Sequence, residues 1–346
     1  MPIFVPRSIL SFQQIVKGKA HMDFLNVSGI IKSEKDKTIL HGVDFQVDEL
    51  EKVAIVGASG AGKSTLLKIV AGLSQADEGA VFYDGSRVKG VDEKLMPGHP
   101  GIAYLSQHFE LWNNYRVEDV LSYGNKLPED AAMQLYRICR IDHLLKRYTS
   151  QLSGGERQRI AMARLLNGAP GLFILDEPYS NLDLIHKEIL KAVIRDLSEQ
   201  LQITCLLTSH DPMDTLPWAD RILVMQQGKI VQSGTPHEIY AQPLSEYTAA
   251  LFGPYNLINE QDAAVLMPSG KPGKHLLLRP HQMRIVAGGN QALPGTVQRI
   301  NYHGNCYIVE VLTASKEVFY IQVANMNVQK GSQVHIAING QETWYI

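Results

Sequence analysis

The chain has 346 residues, 45% hydrophobic and 20% charged, with a formal net charge of −2, so it is long enough for two ordinary globular domains. That balance excludes the broad basic footprint of a nucleic-acid binder. No apolar run reaches bilayer-spanning length, so any membrane role must come through partner subunits. The three cysteines, Cys139, Cys205 and Cys306, match no metal or redox spacing and are expected to be buried thiols of a reducing compartment.

Residues 1–21 carry two early prolines, no clear period and too little basic-then-apolar layout for a signal peptide, and stand as an extension of unassigned status. Alternating segments at 24–27 and 45–47 read as strands on either side of a charged turn at 32–37. The apolar run Val53-Ala54-Ile55-Val56 is a third strand. It breaks at Gly57, passes through a loop of small residues and resumes with helical spacing at Ser64. The loop reads Gly57-Ala58-Ser59-Gly60-Ala61-Gly62-Lys63-Ser64, the phosphate-loop pattern of glycine, four residues, glycine, lysine and hydroxyl. Gly57, Gly60 and Gly62 permit the backbone angles and close approaches that turn successive N–H groups around an anion. The helix that follows adds the positive end of its dipole and stops at Ala71-Gly72-Leu73. Lys63 is expected to reach the β- and γ-phosphates and Ser64 to take a place on Mg²⁺.

A hairpin over 79–88 turns at Asp84-Gly85, and a strand over 101–105 ends in Ser106-Gln107. The pattern is helical over 117–150, and Leu152 to Gln158 opens another helix. The run Leu172-Phe173-Ile174-Leu175 reads as a buried parallel strand and ends in Asp176-Glu177-Pro178. A helix over 183–197 leads to a strand over 203–208 that stops at Ser209-His210-Asp211. Strands alternating with helices predict an α/β domain with a parallel sheet, whose ligands sit at the C-terminal strand ends. There, Asp176 can hold Mg²⁺ through water or Ser64, and Glu177 can polarise an attacking water. His210 can hydrogen-bond the γ-phosphate and that water, and the Gln107 amide can reach the water or the metal. Beyond 234 the composition changes. Residues 241–256 are expected to be a linker, and short β-rich runs over 276–278, 283–286, 295–300, 306–312, 318–323 and 334–338 predict a small all-β barrel or sandwich.

The most specific segment is Leu152-Ser153-Gly154-Gly155-Glu156-Arg157-Gln158. With it, residues 22–240 resemble the nucleotide-binding subunit of an ATP-binding cassette (ABC) transporter, with every motif in family order. The matching residues are the phosphate loop, Gln107 as the Q-loop glutamine, Ser153-Gly154-Gly155 as the signature, and the pair Asp176 and Glu177. Ser180-Asn181-Leu182-Asp183 matches the D-loop and His210 the switch histidine. The resemblance implies ATP and Mg²⁺ as cofactors. ATP contacts fall on Gly57 through Thr65, on Ser153, Gly154 and Gly155, and on Asp183; metal contacts fall on Ser64, Gln107 and Asp176; Glu177, His210 and Gln107 are the catalytic set. It also implies a head-to-tail dimer, each ATP lying between the phosphate loop of one copy and the signature of the other.

Some positions depart from the family. Ser33-Glu34-Lys35-Asp36 occupies the region where an aromatic residue usually stacks on adenine, and Leu50 stands where a glycine often precedes the phosphate strand. Residues 251–257, together with Leu278-Arg279-Pro280 and Pro294-Gly295-Thr296-Val297, resemble importer ATPases of the maltose, polyamine, sulfate and ferric-iron type. Those carry a C-terminal transport-associated OB-like domain, placed here at 257–346; Asn256, just before it, reads as a turn residue and Arg279, within it, as a packed surface arginine. The implied partners are a second copy, integral membrane permease subunits and, indirectly, a solute-binding protein, with no nucleic acid. The implied place is peripheral, on the cytoplasmic face of the cell membrane. The alternative is a soluble ATPase that uses the same dimer switch outside transport.

Overall fold

The structure, a computed structural model, describes residues 24–107, 111–180, 182–268, 273–340 and 343–346. The extension at 1–21 and Asn181 of the D-loop lie outside the described residues. Contacts divide the chain after Pro236 into two units.

The first unit opens with β1 (Leu25–Glu34) and β2 (Lys37–Val47), an antiparallel hairpin. Its turn is only Lys35 and Asp36, both left-handed at φ 45° and 66°, the form whose twist matches the flanking strands. The strands therefore run into the charged segment: Ser33 pairs with Thr38 and Glu34 with Lys37, extending the ladder past the last apolar side chain. Next come β3 (Lys52–Val56), helix α1 (Lys63–Val70), the hairpin β4 (Glu78–Tyr83) and β5 (Ser86–Arg87), and β6 (Ile102–Leu105). After the helices α2 (Val117–Ser122), α3 (Glu129–Ile138) and α4 (Gly154–Leu166) follow β7 (Leu172–Asp176), α5 (Leu184–Gln200), β8 (Thr204–Ser209), the short α6 (Pro212–Thr215), β9 (Arg221–Gln226) and β10 (Lys229–Gly234). The helical pattern expected over 117–150 is broken because Gly124 takes φ 71° and Pro128 sits at the N-cap of α3.

Two sheets result. One is antiparallel, in the order β2-β1-β4-β5; the other has the order β10-β9-β3-β8-β7-β6, parallel from β6 to β9. The parallel sheet is buried on both faces. Leu172 and Ile174 of β7 join a core with α1 and the antiparallel sheet, while Phe173 and Leu175 join one with α2 to α5. Cys139 and Cys205 lie in the latter, and burial pushes both thiols up to about 12. Among the described residues no helix is long and apolar enough to cross a membrane.

The second unit starts at His237, inside the helix α7 (Pro236–Ala241). Residues 241–256 are not an open linker but carry α8 (Glu246–Leu251), whose N-terminal amide at Thr248 donates to Ser245 Oγ. Then come β11 (Asn256–Ile258), α9 (Glu260–Leu266), β12 (Leu276–Leu278), β13 (Met283–Val286), β14 (Leu293–Tyr302), β15 (Tyr307–Thr313), β16 (Val318–Val323), β17 (Gln333–Ile338) and β18 (Trp344–Tyr345). They form two antiparallel sheets, β11-β12-β18 and β13-β17-β14-β15-β16, around one apolar core.

Arg279 and Asn256 differ from expectation. Arg279 is 1% exposed; its guanidinium donates to the carbonyls of Tyr240 (3.1 Å), Ala249 (2.9 Å), Gly253 (3.2 Å) and Pro254 (3.4 Å) and stacks 4.3 Å from the Tyr240 ring centre. The fork-shaped donor collects backbone carbonyls at and just beyond the ends of α7 and α8. Asn256 is a buried strand residue whose amide grips the Tyr320 backbone, donating to its carbonyl (2.8 Å) and accepting from its N–H (2.7 Å).

Candidate active site

The phosphate loop follows directly from β3. A Cβ on Gly57 would lie 2.3 Å from the Met225 carbonyl oxygen of β9, and Gly62 takes φ 100°, so both positions require glycine. Among its buried residues α1 counts Leu66, Leu67, Ile69 and Val70, which fixes where its N-terminus points. Lys63 Nζ lies across the loop, on the carbonyls of Gly57 (2.7 Å) and Ala58 (3.1 Å). Burial pulls its ammonium below the usual lysine range, and the charges of Glu177 and Asp176 oppose that pull.

Asp176 closes β7 beside this loop. Its Oδ1 accepts from Ser64 Oγ (3.0 Å) and from Thr208 Oγ1 (2.9 Å), and its Oδ2 from the Tyr104 hydroxyl (2.8 Å). Glu177, the next residue, sits in the left-handed region at φ 47°. Its N–H donates to Thr208 Oγ1 (2.9 Å), and its carbonyl accepts from Ser180 Oγ (2.8 Å). His210 Nδ1 lies 3.3 Å from Glu177 Oε2, with the imidazole 63% exposed against 20% for the glutamate. The residue after His210, Asp211, accepts from Lys187 Nζ of α5 at 2.6 Å. The structure thus gathers Lys63, Ser64, Asp176, Glu177 and His210 into one contiguous corner, while Gln107 stands exposed just past β6.

The signature occupies a different place. Ser153 caps α4: its Oγ accepts from the Glu156 N–H (3.3 Å), and its own N–H donates to Glu156 Oε2 (2.8 Å). The cap uses only a lone pair of the hydroxyl, so its proton remains available to an outside acceptor. Ser153 and Gly154 are exposed. Gly155 is covered by His186, whose Cδ2 would meet an added Cβ at 3.2 Å, and the His186 ring bonds Asp183 at 2.6 Å. The backbone N–H of His186, and then its ring, hold the Asp183 carboxyl below the usual range. Signature and D-loop are therefore neighbours in one chain. Gln158 of the same motif donates to the Pro178 carbonyl (2.6 Å), tying α4 to the turn after Glu177.

Tyr104 and Thr208 were not singled out by the sequence. Each lies inside a strand, where a hydroxyl among apolar neighbours carries no motif, and only the strand register could have pointed to Thr208, which pairs with Asp176.

Comparison with known proteins agrees with this geometry. Residues 40–180 match the ABC transporter family, and residues 276–346 match the TOBE domain. The chain is 30% identical to the sulfate/thiosulfate import ATP-binding protein CysA of Bacillus cereus, over 90% of this chain and 95% of that protein. The chain belongs to the ABC transporter family. It is likewise 30% identical to the spermidine/putrescine import ATP-binding protein PotA of Spiroplasma citri, over 92% of this chain and 96% of the relative. To the sn-glycerol-3-phosphate import ATP-binding protein UgpC of Ralstonia nicotianae it is 37% identical, over 68% of this chain and 66% of the relative. A solved ATP-binding cassette in its ADP conformation shares the fold, with a TM-score of 0.57 and 22% identity over 66% of this chain and 99% of that one. As a member of this family the chain is an ATP-binding ATPase, and its second unit matches the family's OB-like TOBE domain.

Proposed function

We propose that the chain powers solute import as a head-to-tail pair of identical copies, peripheral to the cytoplasmic face of the cell membrane and docked on separate permease subunits. The single observation that carries this reading is the corner where Ser64, Asp176, Glu177 and His210 meet beside the phosphate loop. Residues 22–240 act as the ATPase domain and 257–346 as the OB-like domain.

The phosphates of ATP enter the ring of N–H groups from Gly57 to Thr65, and Lys63 turns its ammonium onto them. The Ser64 hydroxyl and the Asp176 carboxylate are hard oxygen donors 3.0 Å apart, which suits Mg²⁺, with the Gln107 amide oxygen as a further donor. When bound, the ion offsets the negative charge of the phosphates. Glu177 accepts a proton from the attacking water, and His210 steadies that water and the γ-phosphate. The other copy contributes Ser153, Gly154 and Gly155: the serine proton and the N-terminus of α4 meet the γ-phosphate from the opposite side. Leu184 and Ile185, 74% and 73% exposed next to Asp183, are apolar side chains that a second copy covers. Trp112, which meets Tyr115 at a tilt and Tyr123 edge-on, and those two tyrosines are exposed soon after Gln107 and offer the permease an aromatic ledge. The solute is selected by the permease and its solute-binding protein.

The test has two arms. The purified chain should hydrolyse ATP only with Mg²⁺. Tagged protein drawn from its native membrane should bring a permease and a solute-binding protein with it. An active ATPase that brings no membrane partner with it favours a soluble ATPase instead.

A further inference from the structure

The best-connected hydroxyl in the site is one that the reading above leaves without a task. Thr208 lies in β8 with no exposed surface, and the parallel register sets it beside Asp176 of β7. A threonine hydroxyl has one proton and two lone pairs. Here the proton goes to Asp176 Oδ1 (2.9 Å), and a lone pair receives the Glu177 N–H (2.9 Å). One oxygen therefore touches both members of the carboxylate pair, fixing the side chain of the first and the backbone of the second.

The second contact bears on strain. Glu177 is a non-glycine residue at φ 47°, a conformation that persists only where its surroundings over-determine it. Its peptide is held at both ends, by Thr208 on the N–H and by Ser180 on the carbonyl. The first contact bears on the metal. Ser64 and Thr208 share Oδ1 of Asp176, and Tyr104 of β6 holds Oδ2, so the carboxylate cannot rotate.

We propose that Thr208, seconded by Tyr104, is a positioning residue for hydrolysis: it locks the Asp176 carboxylate toward the metal and holds Glu177 in the left-handed turn that aims its carboxylate at water. The proposal rests on the ATPase reading, and the experiment separates the two. ATP hydrolysis and Mn²⁺ binding with a non-hydrolysable ATP analogue, the latter by electron paramagnetic resonance, are measured on the full-length wild type, Thr208→Val, Thr208→Ser and Tyr104→Phe.

Thr208→Val keeps the shape and removes the hydroxyl. It should lower kcat by about 10- to 100-fold and weaken Mn²⁺ binding by about tenfold, the usual reach of groups that orient metal ligands, with KM for ATP within about threefold of wild type. Thr208→Ser restores the hydroxyl and should recover kcat to within about threefold, which a packing role for the methyl group would not allow. Tyr104→Phe should weaken Mn²⁺ binding while lowering kcat less than Thr208→Val, because it leaves the Glu177 contact intact. Wild-type kcat and Mn²⁺ affinity in Thr208→Val overturn the proposal, as does a Thr208→Ser variant as slow as the valine. Failure of the wild type itself to hydrolyse ATP overturns the ATPase reading.

Discussion

Two corners of this molecule bury polar groups at the ends of strands, and they treat them in opposite ways. At Arg279, after β12 in the second unit, the guanidinium meets four backbone carbonyls and an aromatic face, so its hydrogen-bonding capacity is spent on the fold. At Asp176 and Glu177, where β7 ends in the first, neighbouring hydroxyls fix the carboxylate and the backbone, while the Glu177 side chain meets an exposed imidazole 3.3 Å away. A saturated buried ion marks architecture. A rigidly held acid with an open side marks chemistry.

Substitutions at the two corners should therefore fail differently. The largest effect is expected for Glu177→Gln, which removes the proposed general base and should lower kcat by about 10³-fold while nucleotide affinity and thermal stability stay near wild type. Full-rate turnover in this variant would erase the distinction between the corners. Arg279→Met should do the reverse: it leaves the carbonyls short of donors and should cost the second unit about 3 kcal/mol in a urea titration. Arg279→Lys should recover less than half of that, since one ammonium cannot span the set.

The signature shares traits of both corners. Ser153→Ala loses a helix cap, about 1 kcal/mol, and the proposed donor to the γ-phosphate, so hydrolysis should fall by about 10²-fold while the single subunit still binds ATP. Equal loss of binding and hydrolysis would argue against a composite site. The smallest effect is expected at Leu50, which precedes the phosphate strand at φ 68° with its N–H on Thr204 Oγ1 (2.8 Å). Leu50→Gly relieves the left-handed strain and should raise stability by about 0.5 kcal/mol, seen as a higher melting temperature. A loss of stability there would mean that the leucine side chain contributes packing that its 47% exposure does not reveal.

The parts legible in the sequence were those with a local signature. Strand, phosphate loop and helix announce themselves in one run from Val53 to Leu73. The β-rich segments after 275 were readable because turn residues punctuate them, and β12, β13 and β16 occupy the expected residues. What stayed hidden depends on register or on long-range contact. Thr208 matters because β8 lies alongside β7, and a threonine inside an apolar strand gives no sign of its neighbour. Arg279 reads as a surface residue because its partners are backbone carbonyls 25 to 39 residues away in sequence, which have no side-chain signature. Leu50 is the converse: a glycine position was inferred from family likeness, and the positive φ shows the backbone form retained without the glycine.

The central claim is that two copies complete each other's site around ATP, and light scattering on the Glu177→Gln protein tests it most directly. With ATP and Mg²⁺ the particle should have about twice the 38.5 kDa chain mass, returning to a single chain when nucleotide is removed. A particle that keeps the mass of one chain at saturating ATP, with nucleotide bound, would contradict the account.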